Sequence, residues 1–205
     1  MSQQLREEIA AAAARLVVED GMEYGPAKRR AARDLAGSRR IDLPDNDLVE
    51  AAVREYLAIF CADTQPGELA ALRELAAVWM ARLAEFRPYL TGAVWRGTAT
   101  RLSAVHLQLY CDDAKAAELA LINQNVQYEV ASHTDARGRD INVLALQVRC
   151  AALGELVPLR LSVLDHDDLR GALKPDPQGR SQRGDLAALQ RLMQDRSAAD
   201  KDSTT

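Results

Sequence analysis

The chain has 205 residues, enough for one ordinary domain or for one domain with a helical extension. Apolar residues make up 48%, charged residues 27%, and the formal net charge is -4. A core can therefore be buried without covalent staples, and coating of nucleic acid by bulk positive charge is excluded. Cys61, Cys111 and Cys150 are odd in number and show no C-x-x-C spacing. Neither a disulfide framework nor a cysteine zinc site is expected, and a reducing, cytoplasmic setting is. The N-terminal residues carry early acids and no basic leader, and no apolar run approaches membrane-spanning length, so no membrane role is expected.

Helical spacing dominates up to residue 87. Leu5, Ile9, Ala12 and Leu16 share a helix face that Gly21 ends, and Pro26 opens a second helix that Gly37 stops. After a polar loop ending at Pro44, a third helix runs DLVEAAVREYLAIF, with Leu48, Ala52, Tyr56 and Ile59 along one side. The fourth, ELAALRELAAVWMARLAEF, carries the stripe Leu69, Leu72, Leu75, Ala76, Trp79, Leu83 and Phe86 before Pro88 closes it.

Beyond Pro88 the period changes to two. Val105, Leu107 and Leu109 alternate with Ala104, His106, Gln108 and Tyr110, which predicts a strand. Asp112 then caps a helix, DAKAAELALINQ. VQYEVASHT reads as a strand followed by a turn around Gly138. INVLALQVR and LVPLRLSVL form a hairpin turning at Ala151–Glu155. Asp165 or Asp167 caps a short helix. KPDPQGRSQRG reads as a linker, Asp185–Gln194 as a last helix, and the rest as a disordered tail. The fold class is α+β, with a helical region over 1–87, a mixed-sheet domain with flanking helices over 88–174, and linker, helix and tail over 175–205.

The chemistry-bearing stretch is TGAVWRGTATRLSAVHLQLY, residues 91–110. Gly92 and Gly97 lie five apart and lead into the alternating strand. Gly92, Arg96, Gly97, Ala99, Ser103 and Leu107 fit without a gap a signature of Gly-Ser, then Arg-Gly-x-Ala, then Ser-Asp-hydrophobic-Asp-Leu. In this stretch the chain resembles the nucleotidyltransferase superfamily, the polymerase-beta-like fold. As a whole it also resembles a group of bacterial proteins of the same layout. The resemblance implies that Gly92, Arg96, Gly97 and Ser103 hold nucleotide phosphates, since glycines admit close backbone approach and amide and hydroxyl groups take the oxygens. It also implies two carboxylates, two apart on one strand face, with a third on a later strand, which together bind Mg²⁺.

Those acids are missing here. Ala93 replaces the signature serine, and Ala104 and His106 replace the two aspartates. Arg160 stands where the pattern puts the third acid. Alanine offers no ligand, and imidazole suits softer metals than Mg²⁺. The expectation is a degenerate, catalytically inactive member that binds a nucleotide, RNA or a protein through the remnant pocket. No metal or cofactor is expected, and Mg²⁺ only if activity survives. The alternatives are an active transferase that recruits Asp112, Asp113 or Asp165 for metal, and a pure protein-interaction module using the helical region. Trp95 either fills the space of a nucleotide or packs on the helices.

The remaining features carry less. His106, His133 and His166 do not converge by spacing, so no zinc site is expected. The run Lys28, Arg29, Arg30, Arg33, Arg39 and Arg40 is a solvated helix face or a phosphate-binding surface. No G-x-x-G-K-[ST] string occurs, which excludes an ATP-dependent ligase built on that loop.

Overall fold

The alanine-rich first helix, α1 (Gln3–Asp20), packs against α2 (Tyr24–Ala36) and α3 (Asn46–Phe60) in a computed structural model. That structure describes residues 3–37, 42–134, 138–176 and 179–202, with the side chains of 114 and 196–202 left aside. Arg39 and Arg40 of the basic run, residues 135–137 of the turn before Gly138, and 177–178 of the linker lie outside the described residues. The contacts divide the chain into two compact units, Met1–Leu69 with Thr98–Ser103, and Ala70–Gly97 with Ala104–Thr205.

In the first unit small side chains set the packing. Ala10, Ala13 and Ala14 of α1 and Ala27, Ala31 and Ala32 of α2 are all buried, so helix backbones approach closely. α3 meets this layer with Val49, Val53 and Leu57, and with Leu48, Ala52 and Tyr56 half-buried beside them. Ile59, expected on the buried side, is instead 63% exposed, as is Phe60 at 66%. Ile59 lies seven residues, nearly two turns, beyond Ala52, where the stripe has drifted round towards solvent. Asp45 caps α3 by accepting from the Leu48 amide at 2.8 Å. Residues 98–103 join this unit through two side chains. The buried Gln65 amide donates to the Ala99 carbonyl at 2.9 Å, and Glu68 accepts from the Arg101 amide at 2.9 Å.

The second unit is a six-stranded mixed sheet with flanking helices, the α+β class expected. Its strands are β1 (Tyr89–Thr91), β2 (Val105–Cys111), β3 (Glu129–Thr134), β4 (Asp140–Cys150), β5 (Glu155–Asp165) and β6 (Arg183–Gly184), in spatial order β3-β4-β5-β2-β1-β6. Every neighbouring pair is antiparallel except β2 and β5. Between them the chain forms α6 (Ala114–Asn123) and the β3–β4 ribbon. A parallel pair needs such a crossover, and here the helix and hairpin supply it.

The two sheet faces differ in kind. One carries Leu107, Leu109, Leu144, Leu159 and Leu161, all fully buried. α6 packs against β2 and β5, and Cys150 places its Sγ 4.0 Å from the Ala71 carbonyl of α4 (Gln65–Arg82). The opposite face carries His106, Gln108, Arg160 and Ser162, none of them fully buried. α6 is capped by Asp113, which accepts from Lys115, rather than by Asp112. The hairpin of β4 and β5 turns over 151–154, as expected.

Three short elements escape the sequence periodicity. β1 is three residues long. α5 (Gly92–Arg96) is one helical turn where the glycine spacing read as loop. β6 lies inside the stretch read as a linker. The last helix, α8 (Leu186–Asp202), continues past the expected end at Gln194. β6 is pinned by Trp95 of α5, whose Nε1 donates to the Ser181 carbonyl at 2.8 Å. A Cβ on Gly184 would fall 2.2 Å from the Trp95 ring, so only glycine lets the indole lie flat on that strand. Gly184→Ala is expected to lower stability by about 1–3 kcal/mol through overpacking. Urea unfolding checks this, with Gly179→Ala, where the added methyl meets nothing within 4 Å, as the strain-only comparison.

Candidate functional site

β2 and β5 bring His106 and Arg160 to one face. His106 pairs by Cα register with Arg160 across the parallel junction, and Ala104 immediately precedes β2, two residues before His106. The row continues in both directions. Thr91 pairs with His106 and with Arg183 on one side, and Arg160 pairs with Ala145, then Ala145 with Glu129, on the other. One line across the sheet therefore reads Arg183, Thr91, His106, Arg160, Ala145, Glu129. Directly paired residues point to the same side, so all six side chains project from the face opposite the leucine core.

Gly92 turns the chain over this row. Its φ of +74° is a left-handed value that glycine adopts at no steric cost. A Cβ there would lie 3.4 Å from His106 Cδ2, so the open side of Gly92 faces the imidazole edge. Gly97, also left-handed at φ +86°, ends α5, and its amide donates to the Ala93 carbonyl at 2.9 Å. Arg96 is the last residue of α5 and half-buried. Ser103 belongs to the other compact unit, where its hydroxyl accepts from the Thr100 amide at 3.0 Å.

Trp95 lies against the segment around β6. It is committed to Ser181 and Gly184, as described above. Thr91 is similarly engaged, donating its hydroxyl to the Gln182 carbonyl at 3.0 Å. Arg183 does not lean towards His106. Its Nη1 donates to Gln108 Oε1 and, at 3.0 Å, to the Tyr110 hydroxyl, which itself donates to Gln108 at 3.1 Å. Burial pushes the Tyr110 hydroxyl above its usual range, with Arg183 pulling the other way. Tyr110 therefore remains an O–H donor at neutral pH.

Beneath α5 lies a residue the sequence reading passed over. Arg73 of α4 is 4% exposed, and it donates from Nε to the Val94 carbonyl at 3.1 Å and from Nη2 to the Trp95 carbonyl at 3.3 Å. It takes up the last-turn carbonyls of α5, which have no partner within so short a helix. Its position was readable, since Arg73 sits four residues after Leu69 and three before Ala76, inside the apolar stripe.

A donor set for Mg²⁺ is not assembled at Ala104, His106 and Arg160, because it offers a methyl, an imidazole and a guanidinium and no carboxylate oxygen. The acids named as alternatives stand elsewhere. Asp165 pairs with Cys111 at the far end of the β2–β5 junction, five residues along the strands from Arg160, about 16 Å away. It accepts from the Asp167 amide at 2.8 Å, and Asp113 caps α6. Among the described residues no group of three or more His, Cys, Asp and Glu has the geometry of a metal site. His106, His133 and His166 lie on three separate elements.

A groove of ≈ 590 Å³ opens beside the row on the β3 side. Val126 to Glu129, Ala145 to Gln147 and Pro158 to Arg160 line it. Arg160 and Glu129 thus belong both to the row and to the groove. The groove was invisible in the sequence because it is made by three segments up to 34 residues apart.

Comparison with known proteins gives three solved structures. No family profile matches the chain, and no curated protein sequence is detectably similar. Cid1 in complex with the UTP analogue UMPNPP is similar at 15% identity and a TM-score of 0.35, over 54% of this chain and 36% of that one. Cid1 in complex with its short product ApU is similar at 16% identity and a TM-score of 0.36, over 56% and 38%. A MgGTP-bound structure of Cid1 poly(U) polymerase gives 15% identity and 0.35. The chain spans less than two fifths of the length of those chains. No helix among the described residues is long and apolar enough to cross a membrane.

Two outcomes follow from this geometry. Arg73→Met is expected to cost about 1–3 kcal/mol by stranding the Val94 and Trp95 carbonyls, read as a lower urea midpoint with unchanged helix content by circular dichroism. Cys111 is raised above the ordinary thiol value, first by burial and then by Asp113, Asp112 and Asp165. Its alkylation by iodoacetamide at pH 8 should be slower than that of a free thiol. Asp113→Asn should accelerate it, measured by peptide mass spectrometry.

Proposed function

We propose that the sheet unit is a nucleotidyltransferase-like domain that binds the phosphate of a nucleotide or RNA and does not catalyse metal-dependent transfer. One observation carries this reading. His106 and Arg160 stand in register on one face, with Ala104 two residues before His106, which supports taking them as the positions where a two-metal site would need acids. A guanidinium next to an imidazole disfavours divalent cations and suits an oxyanion. Arg160 is exposed there, so a phosphate reaches it without burying an unpaired charge.

In this reading Gly92 and Gly97 shape the approach and Arg96 supplies a second cation beyond α5. The protein is then a pseudoenzyme of the nucleotidyltransferase type, acting in the cytoplasm without a cofactor. Exposed Ile59 and Phe60 on α3 favour a second role for the helical unit, contact with a protein partner.

Titration with ATP, GTP, CTP and UTP, each with Mg²⁺ and with EDTA, tests the proposal. Affinity is expected to be the same in both conditions and to fall about ten- to hundredfold in Arg160→Ala. Magnesium-dependent tightening together with release of pyrophosphate would overturn the inactive reading. Absence of any binding would leave the protein-contact role of the helical unit.

A further inference from the structure

The row and the groove together have a polarity that the phosphate reading does not use. Arg160 stands at one end of the groove and Glu129 at the other, with Ala145 between them in register. Adjacent strands are about 4.8 Å apart, so the backbone positions of Arg160 and Glu129 are separated by roughly 10 Å across the sheet. Ala145 contributes only a methyl group to the floor. A flat ring can therefore lie over β4 between the two charges. Tyr128 and Pro158 border the same groove, and the Tyr128 hydroxyl is held by Glu118 at 3.4 Å.

We propose that this row is a nucleoside 5′-phosphate site. The phosphate lies on Arg160 with His106 beside it, the base lies over Ala145 in the groove, and its amino-bearing edge donates to Glu129. The proposal rests on the phosphate reading above and adds where the base goes and which bases are accepted. A cation at one end and a carboxylate at the other match a ligand that is anionic at one end and a hydrogen-bond donor at the other. A nucleotide carrying an exocyclic amine is such a ligand, with its 5′-phosphate and that edge at opposite ends of the molecule. A carboxylate takes the N–H groups of adenine, cytosine or guanine. Facing uracil, it meets two carbonyl oxygens flanking a single N–H. The base is therefore placed on the β3–β4–β5 side of Arg160, away from Gly92 and α5. The same chemistry occurs in a free mononucleotide and at the 5′-phosphorylated end of an RNA.

Binding of AMP, CMP, UMP, inorganic phosphate and a 5′-phosphorylated oligoadenylate trimer to the full chain, measured by calorimetry in EDTA, tests the proposal. AMP and CMP should bind about tenfold tighter than UMP, and Glu129→Gln should abolish that preference while phosphate binding is retained. Arg160→Ala should weaken all ligands. Glu129 and Arg160 are both exposed, so the variants are expected to fold, which thermal unfolding verifies. Equal affinity for AMP, UMP and phosphate, with Arg160 dependence retained, would overturn the base site and leave the phosphate reading standing. Nucleotide binding that is lost in Arg96→Ala but kept in Arg160→Ala would overturn both the base site and its phosphate anchor. It would place the nucleotide at the glycine segment. A trimer that binds tighter than AMP, with the same Glu129 dependence, supports the site and identifies an RNA end as its source. AMP binding equal to the trimer supports it with the mononucleotide as source.

Discussion

The parallel pairing of β2 with β5 is the constraint on which the sheet unit depends. All other neighbours in the sheet are antiparallel and could be joined by short turns. This pair cannot, and the chain uses α6 and the β3–β4 ribbon to return in the same direction. The detour covers one side of β2 and β5 with α6 and leaves the other side open. It also fixes the register that puts Arg160 beside His106. A slip of one residue in that register would move Arg160 into the leucine layer and Leu159 or Leu161 to the open face. The burial of Leu107, Leu109, Leu159 and Leu161 thus holds the polar row in place from behind.

The open face shows two levels of commitment. Near β6 its polar groups are engaged with one another. Arg183 is tied to Gln108 and Tyr110, Thr91 to Gln182, and Trp95 to Ser181. Towards β3 the face widens into the groove, with Arg160 and Glu129 exposed. Side-chain contacts on one side and exposure on the other leave Arg160 and Glu129 as accessible charges of this face. The glycines of the 91–110 stretch shape the committed half, since Gly92 lies against the His106 ring and Gly97 ends the turn of helix that carries Trp95.

Much of this was legible in the sequence, for identifiable reasons. Helices longer than ten residues and the eleven-residue strands β4 and β5 display their periods several times over, and the hairpin between the latter could be placed to within about a residue. Arg160 was singled out as standing where the signature puts a third acid, and the β2–β5 register pairs it with His106. What stayed hidden was short or distant. β1, α5 and β6 complete too few repeats to show a period. The exposure of Ile59 depends on the gradual drift of a helix face. Arg73 looked like a surface charge although its neighbours at minus four and plus three are both core residues. Glu129 and the groove become meaningful only when β3, β4 and β5 stand side by side, and no local pattern announces that order.

The visit of residues 98–103 to the first unit bears on how the protein is made. Synthesis delivers α1, α2 and α3 before the sheet, and small helical layers of this kind can begin to pack while the rest is still on the ribosome. Gln65, however, buries its amide against the Ala99 carbonyl, and Glu68 awaits the Arg101 amide. Until some thirty further residues have emerged, the start of α4 has polar groups without their final partners. The helical unit is therefore discontinuous in sequence and late to finish. A ribosome that paused just before residue 98 would hold an incomplete first unit, and recombination at any single point between 70 and 97 would separate it from the segment that closes it.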